Sequence, residues 1–200
     1  MSDDVVWQCL ISEPEGSIRL PVGQGLNLGE WSKRAAKTYL GVAAPRAELR
    51  KLATILAQLA TSSELGAPTF AYAYVIDAAK AVMAVYEVHD YDSEGYESVD
   101  RLPDLLRDVL PTTPDRRHAI HVDLPTGPGL RVQEIQSVVT GSLFKKKTQL
   151  ESVTYAVLPP QVDNVLVLRV TWTNLIFSEV LLELSQTLAE SLELAQVKEA

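Results

Sequence analysis

The sequence predicts an α+β fold, a mainly antiparallel β-sheet packed by helices on both faces as an α/β/α sandwich. Three observations predict it. Apolar residues recur at helical spacing between residues 28 and 65. After Ala119 the pattern changes to period two in four successive segments. The last of these, Val165 to Trp172, is apolar on both faces except at Arg169 and Thr171, as a central strand covered by layers on each side must be.

Taken in order, Val5 to Ile11 is short and apolar, and Glu13, Pro14, Glu15 and Gly16 separate it from Ser17 to Val22, so the pair reads as a hairpin or two loosely joined edge strands. From Leu28 to Leu40 the residues Leu28, Trp31, Ala35 and Tyr39 share one helical face, and Gly41 supplies the stop. A second helix follows Pro45, with Leu49, Leu52, Leu56 and Leu59 in one stripe, and ends at Gly66 and Pro68. FAYAYVID and KAVMAVYEVHDY then alternate aromatic and β-branched residues with alanines, as one long strand or two successive ones. Val99 to Leu110 makes a short helix with Pro103 in its first turn, where a missing N–H costs little, closed by Pro111 and Pro114.

The meander comes next: AIHVDL, RVQEIQSVVTG, ESVTYAVL and NVLVLRVTW, each bounded by Pro, Gly, Asn or a lysine cluster. A closing helix is expected from Asn174 to about Val197, with Phe177, Leu181, Leu184, Leu188 and Leu192 as its buried stripe and Gln186 on the opposite side. Val180, Leu182 and Leu194 fall off that stripe and add apolar surface beyond one sheet contact. No repeat or long linker interrupts the chain, so residues 1–200 read as one domain.

Composition excludes several classes. With 200 residues, 46% hydrophobic and 22% charged, the chain is neither disordered nor fibrous. A chain of this length buries roughly 70% of its unfolded surface, so its core needs no disulfide or metal. The lone Cys9 can make no internal bridge. The acidic start MSDDVVWQC lacks the basic and apolar regions of a secretory signal, and no run approaches the ~18 apolar residues of a membrane span, so a cytoplasmic location without a membrane partner is expected. A net charge of -8 opposes binding to a phosphate backbone, and no nucleic-acid partner is expected.

Five features invite a chemical reading. Asp90, Asp92, Glu94 and Gly95 start like a calcium loop, but Glu97 and Arg101 stand where an apolar residue and a bidentate glutamate belong, so a solvated acidic loop is the better reading. In RRHAIHVDL, alternation places Arg117, Ala119, His121 and Asp123 on one face and His118, Ile120, Val122 and Leu124 on the other. His121 and Asp123 could hold a metal or act as base and orienter, yet a metal needs a third ligand, and a polar solvent-facing strip is the better reading. Arg169 in a central strand must be paired or line a cleft, with Glu134, Glu151 and Asp123 as candidate partners. Lys145, Lys146 and Lys147 suit a solvated hairpin tip that blocks aggregation. PTGPG lacks the lysine and helix of a phosphate loop, and no GxSxG or HExxH occurs. No catalytic residue, metal or cofactor is therefore assigned.

The C-terminal third carries a resemblance. Tyr155, Leu158, Pro159 and Pro160, then Val165 to Trp172, then Thr173, Asn174, Leu175 and the helix from Phe177 resemble the end of a bacterial PsbP-like/Mog-like fold family. There a similar hairpin passes through an Asn-containing turn into a long closing helix. The resemblance implies an α/β/α sandwich and relatives that act mainly by binding partners. Two functions are carried forward: a non-catalytic protein-interaction or adaptor domain with a protein partner or a homo-oligomer, or a small anionic-ligand binding protein or enzyme with a cleft around Arg169, His121, Asp123 and Tyr155.

Overall fold

The computed structural model describes residues 6–76, 81–110, 113–140 and 146–197. Within them the helical stretch and the period-two stretch each form as expected. Helix α1 (Leu28–Leu40) starts at Asn27, whose side-chain oxygen accepts the backbone N–H groups of Gly29 and Glu30, two donors the first turn leaves without partners. It ends at Gly41, where φ is 83°. Helix α2 (Arg46–Gly66) buries Leu52 and Leu56 of the predicted stripe, with Ala53 and Ala60 beside them, while Leu49 and Leu59 are half-buried. A 3-10 turn, Val99–Arg101, leads into α3 (Leu102–Val109), which buries Leu102, Leu105 and Leu106.

The strands are β1 (Val6–Leu10), β2 (Ser17–Leu20), β3 (Phe70–Ile76), β4 (Ala81–Asp92), β5 (Arg116–Leu124), β6 (Gly127–Thr140), β7 (Lys146–Val157), β8 (Asn164–Trp172) and β9 (Glu193–Val197). Seven of them form one antiparallel sheet in the order β2-β3-β4-β8-β7-β6-β5. The strand that is apolar on both faces, β8, holds the central place. Its front face carries Leu166, Leu168, Val170 and Trp172, which join Tyr72, Tyr86, Val153 and Tyr155 beneath Leu181, Leu188 and Ala189. The back face has two separate covers: α1 and α2 over Leu20, Ala71, Ala73 and Val75, and α3 over Leu130, Val132, Ala156, Val165 and Val167. Helices on both faces of an antiparallel sheet make this an α+β sandwich.

Two expectations change. The first two apolar segments do not pair with each other: β2 joins the edge of the main sheet, whereas β1 pairs antiparallel with β9 in a separate two-stranded ribbon. The closing helix is correspondingly shorter. It runs as α4 (Ser178–Glu190), after a 3-10 turn at Leu175–Phe177, and the chain then extends to give β1 a partner. Leu192 imitates one more helical turn because it, too, is buried in the front core, but it arrives there as the chain leaves the helix. Leu182, Leu184 and Leu194 pack partly on the same core, whereas Val180 stays 52% exposed. The tail Lys198 to Ala200, like Val5 and Pro111, lies outside the described residues.

Candidate functional site

Arg169 stands on the back face of β8, between the two helical covers. Strand register sets Glu87 of β4 directly opposite it on one side and Thr154 of β7 on the other. The carboxylate that strand register sets beside it is thus Glu87, not one of the three considered from sequence. Glu151 lies in register with Trp172 on the front, Asp123 is exposed at the far edge of the sheet, and Glu134 approaches the Arg117 Nε at 3.5 Å. The second helix contributes as well, for Ser63 Oγ donates to Glu87 Oε1 at 2.6 Å. His89 Nε2 lies 3.9 Å from Glu87 Oε2. Burial alone would raise the Glu87 carboxyl, but the nearby His89 imidazole, the Ser63 hydrogen bond and the charge of Arg169 outweigh it and hold the group below its ordinary range. Among the described residues the buried Arg169 Nε meets no hydrogen-bond partner. At this seam the back face is held by charge and by the Ser63 hydroxyl of α2 rather than by apolar packing.

Tyr155 does not belong to that seam. Alternation places it on the front face, buried in the core cluster under α4. Its hydroxyl donates to Gln186 Oε1 at 2.9 Å and accepts from Arg131 Nε at 3.2 Å, and Gln186 Nε2 donates to Glu190 at 2.7 Å. Gln186 therefore faces the sheet, which corrects its assignment to the far side of the helix. Further along, the buried Glu151 accepts from Gln133 Nε2 at 2.7 Å, Trp172 Nε1 at 3.2 Å and Ser178 Oγ at 2.5 Å. A carboxylate beside the first residue of α4 also meets the positive end of the helix dipole. Neither network shows in the sequence, because Gln133, Ser178 and Gln186 follow no motif.

His121 and Asp123 sit on β5, at the edge of the sheet opposite to β2. His121 Nε2 is 3.9 Å from Asp100 Oδ1, an exposed pair reaching to the turn before α3. Residues Arg116 to His121 are all exposed. The proposed cleft of four residues is thus distributed over three places: Arg169 in the seam, His121 and Asp123 on the edge, and Tyr155 through the sheet. In the acidic loop, Asp90 accepts from Asn164 Nδ2 at 2.6 Å, Asp92 from the Glu94 N–H at 2.9 Å and Glu97 from the Gly95 N–H at 3.0 Å. Among the described residues no group of three or more His, Cys, Asp or Glu is placed to hold a metal ion. Burial pushes the Cys9 thiol up to about 12, with the charge of Asp90 adding to it, so the thiolate is scarce at neutral pH. Lys147 is exposed on β7, while Lys145 lies outside the described residues.

The edge itself is well defined. The hairpin between β5 and β6 turns through Pro125 and Thr126, with Leu124 paired to Gly127. A two-residue turn makes its flanking residues a hydrogen-bonded pair, so in β5 the even-numbered residues bond to β6. The odd-numbered residues Arg117, Ala119, His121 and Asp123 direct their N–H and C=O groups outward. Pro128, which has no N–H, stands opposite Asp123 at a position where that ladder requires none. Thr126 fixes the turn by donating its hydroxyl hydrogen to the Leu192 carbonyl.

No family model matches the chain. No curated protein matches it either. Among solved structures it is similar to one described as the crystal structure of LpqN involved in cell envelope biogenesis of Mycobacterium tuberculosis, with 10% sequence identity and a TM-score of 0.49, over 97% of this chain and 87% of that chain. Among the described residues no helix is long and apolar enough to cross a membrane.

Proposed function

We propose that the chain is a non-catalytic protein-interaction domain and that β5 is the strand to which its partner adds. The observation that carries this reading is the edge: a strand of nine residues at the end of the sheet order, with exposed side chains from Arg116 to His121 and outward-facing backbone groups at every second residue. Such an edge is a template for another strand, and main-chain pairing along it supplies affinity while alternate side chains supply specificity. The resemblance of the C-terminal third to a family of partner-binding proteins is in keeping with this. The separation of Arg169, His121, Asp123 and Tyr155 into three places favours it over a single ligand cleft.

A photo-cross-linking side chain placed at Ala119 tests the reading in native extract, with Leu65, 86% exposed on α2, as the control position. A discrete adduct is expected from position 119 and none from position 65. Adducts from both positions, or from neither, would overturn the assignment of β5.

A further inference from the structure

The β5 edge carries an unusual order of side chains for a strand at a sheet boundary. Charged residues lie toward its ends, with Arg116 and Arg117 at the start and Asp123 near the finish, and Ile120, 40% exposed, lies at the centre. A purely protective edge would place charge throughout. Read against a reversed copy of itself about Ile120, the strand matches. Arg117 meets Asp123, Ala119 meets His121, His118 meets Val122, and Ile120 meets Ile120. The odd-numbered residues that would then exchange hydrogen bonds are the ones whose backbone groups face outward. Ile120 falls at a position between hydrogen-bonded pairs, where opposing Cα atoms approach to about 4.5 Å and side chains touch. Shifting the register by two residues brings Arg117 opposite His121 or Asp123 opposite Ala119, and the opposite-charge pairs are lost.

We propose that a second copy of this chain occupies the edge, the two β5 strands pairing antiparallel about a two-fold axis at Ile120 to form one sheet continuous across both copies; this rests on β5 being the interaction edge. The contact is self-complementary, as a two-fold interface must be. Arg117 and Asp123 pair twice, once on each side of the axis, on the back face of the joined sheet. On the front face Ile120 and Val122 of both copies form an apolar centre between the two hairpins. Arg117 already approaches Glu134 at 3.5 Å, so in the dimer one guanidinium lies between a carboxylate of its own copy and one of the partner.

Mixing two charge variants of the full chain tests this. Arg117→Asp places like charges opposite each other across its own homodimer, and so does Asp123→Lys. Mixed, the two variants present opposite charges at both pairs. Sedimentation velocity on wild type is expected to show a dimer, each single variant to weaken it by about tenfold or more, and the mixture to restore it. Loss of the Arg117 contact to Glu134, or damage to folding, cannot be restored by mixing, so the restored dimer reports the contact between copies. In a Cys9→Ala background, Ile120→Cys is expected to oxidise to a covalent dimer and Leu65→Cys is not. A wild type that stays monomeric at about 100 μM, where a contact of this kind should be populated, overturns the proposal. So does a wild-type dimer whose variants are not rescued by mixing. If the purified chain is monomeric while position 119 still captures a discrete adduct from extract, the interaction edge stands and the second copy does not.

Discussion

The two edges of the seven-stranded sheet manage the same hazard in opposite ways. β2 has four residues, and its last, Leu20, is 1% exposed in the core beneath α1 and α2. The Ser17 hydroxyl at its start accepts from the buried Tyr86 at 2.8 Å, so the short strand is held by side chains as well as by its ladder. β5 has nine residues, of which only Leu124, at the turn, is buried. A short, covered edge has nothing to offer a neighbour, whereas a long, uncovered one contributes little to the core and stays available to another strand. Stability and availability therefore lie at opposite ends of one sheet.

The largest effect is expected at the covered edge. Leu20→Ala removes a fully buried side chain and should cost about 2 to 5 kcal/mol, read as a fall in the urea midpoint. A loss under about 1 kcal/mol would mean that β2 is as dispensable as β5. Midway between the edges, Glu87 adds a pH dependence. Its folded carboxyl titrates below its unfolded value of 4.5, so its stabilisation is complete above that value and is lost as the pH falls through the lower, folded one. Urea midpoints of wild type should thus fall more steeply below pH 4.5 than those of Glu87→Gln, and parallel curves would show the seam to contribute nothing. Ser17→Ala leaves the Tyr86 hydroxyl without its acceptor and should cost about 1 kcal/mol by the same measurement, with Tyr86→Phe recovering much of it in the double variant. The smallest effect belongs to the open edge. Ile120→Ala should change the stability of the dilute chain by no more than about 0.5 kcal/mol, while abolishing the doubled mass at high concentration. A large loss in the dilute chain would place Ile120 in the core and remove the contrast between edges.

Much of this architecture was legible as periodicity. Apolar spacing gave α1 from Leu28 to Leu40 at its observed ends, set α2 after Pro45, and put Val165 to Trp172 in the middle of the sheet, because these signals are local and each element buries one kind of face. Pairing was not legible. Nothing local in VWQCL says that its partner lies at the other end of the chain, and Leu192 continues the helical spacing into a segment that the partner strand pulls straight. The site followed the same rule. Arg169 stood out as a cation in an apolar strand, but its neighbour Glu87 emerges only from the register between β4 and β8. Alternation puts His121 and Asp123 on one face of a strand, as the structure has them, whereas a grouping with Tyr155 fails because sequence carries no sign of which side of the sheet a separate strand presents.

The β1–β9 ribbon ties together segments from the two ends of the described chain, and it is locked to α4 by the Ser12 N–H donating to Ser191 Oγ, 179 residues away in sequence, at 3.2 Å. Closing so long a loop costs entropy that no local contact returns, and topologies of this kind fold slowly. During synthesis β1 leaves the ribosome before the other described strands and has no partner until β9 follows them. The sheet and its back-face helices can assemble meanwhile, leaving part of the front core around Cys9, Leu192 and Leu194 to be sealed last. A chain cut off before Glu193 would keep all seven strands of the main sheet with β1 still without its partner, the state most open to proteases and to mispairing with neighbours.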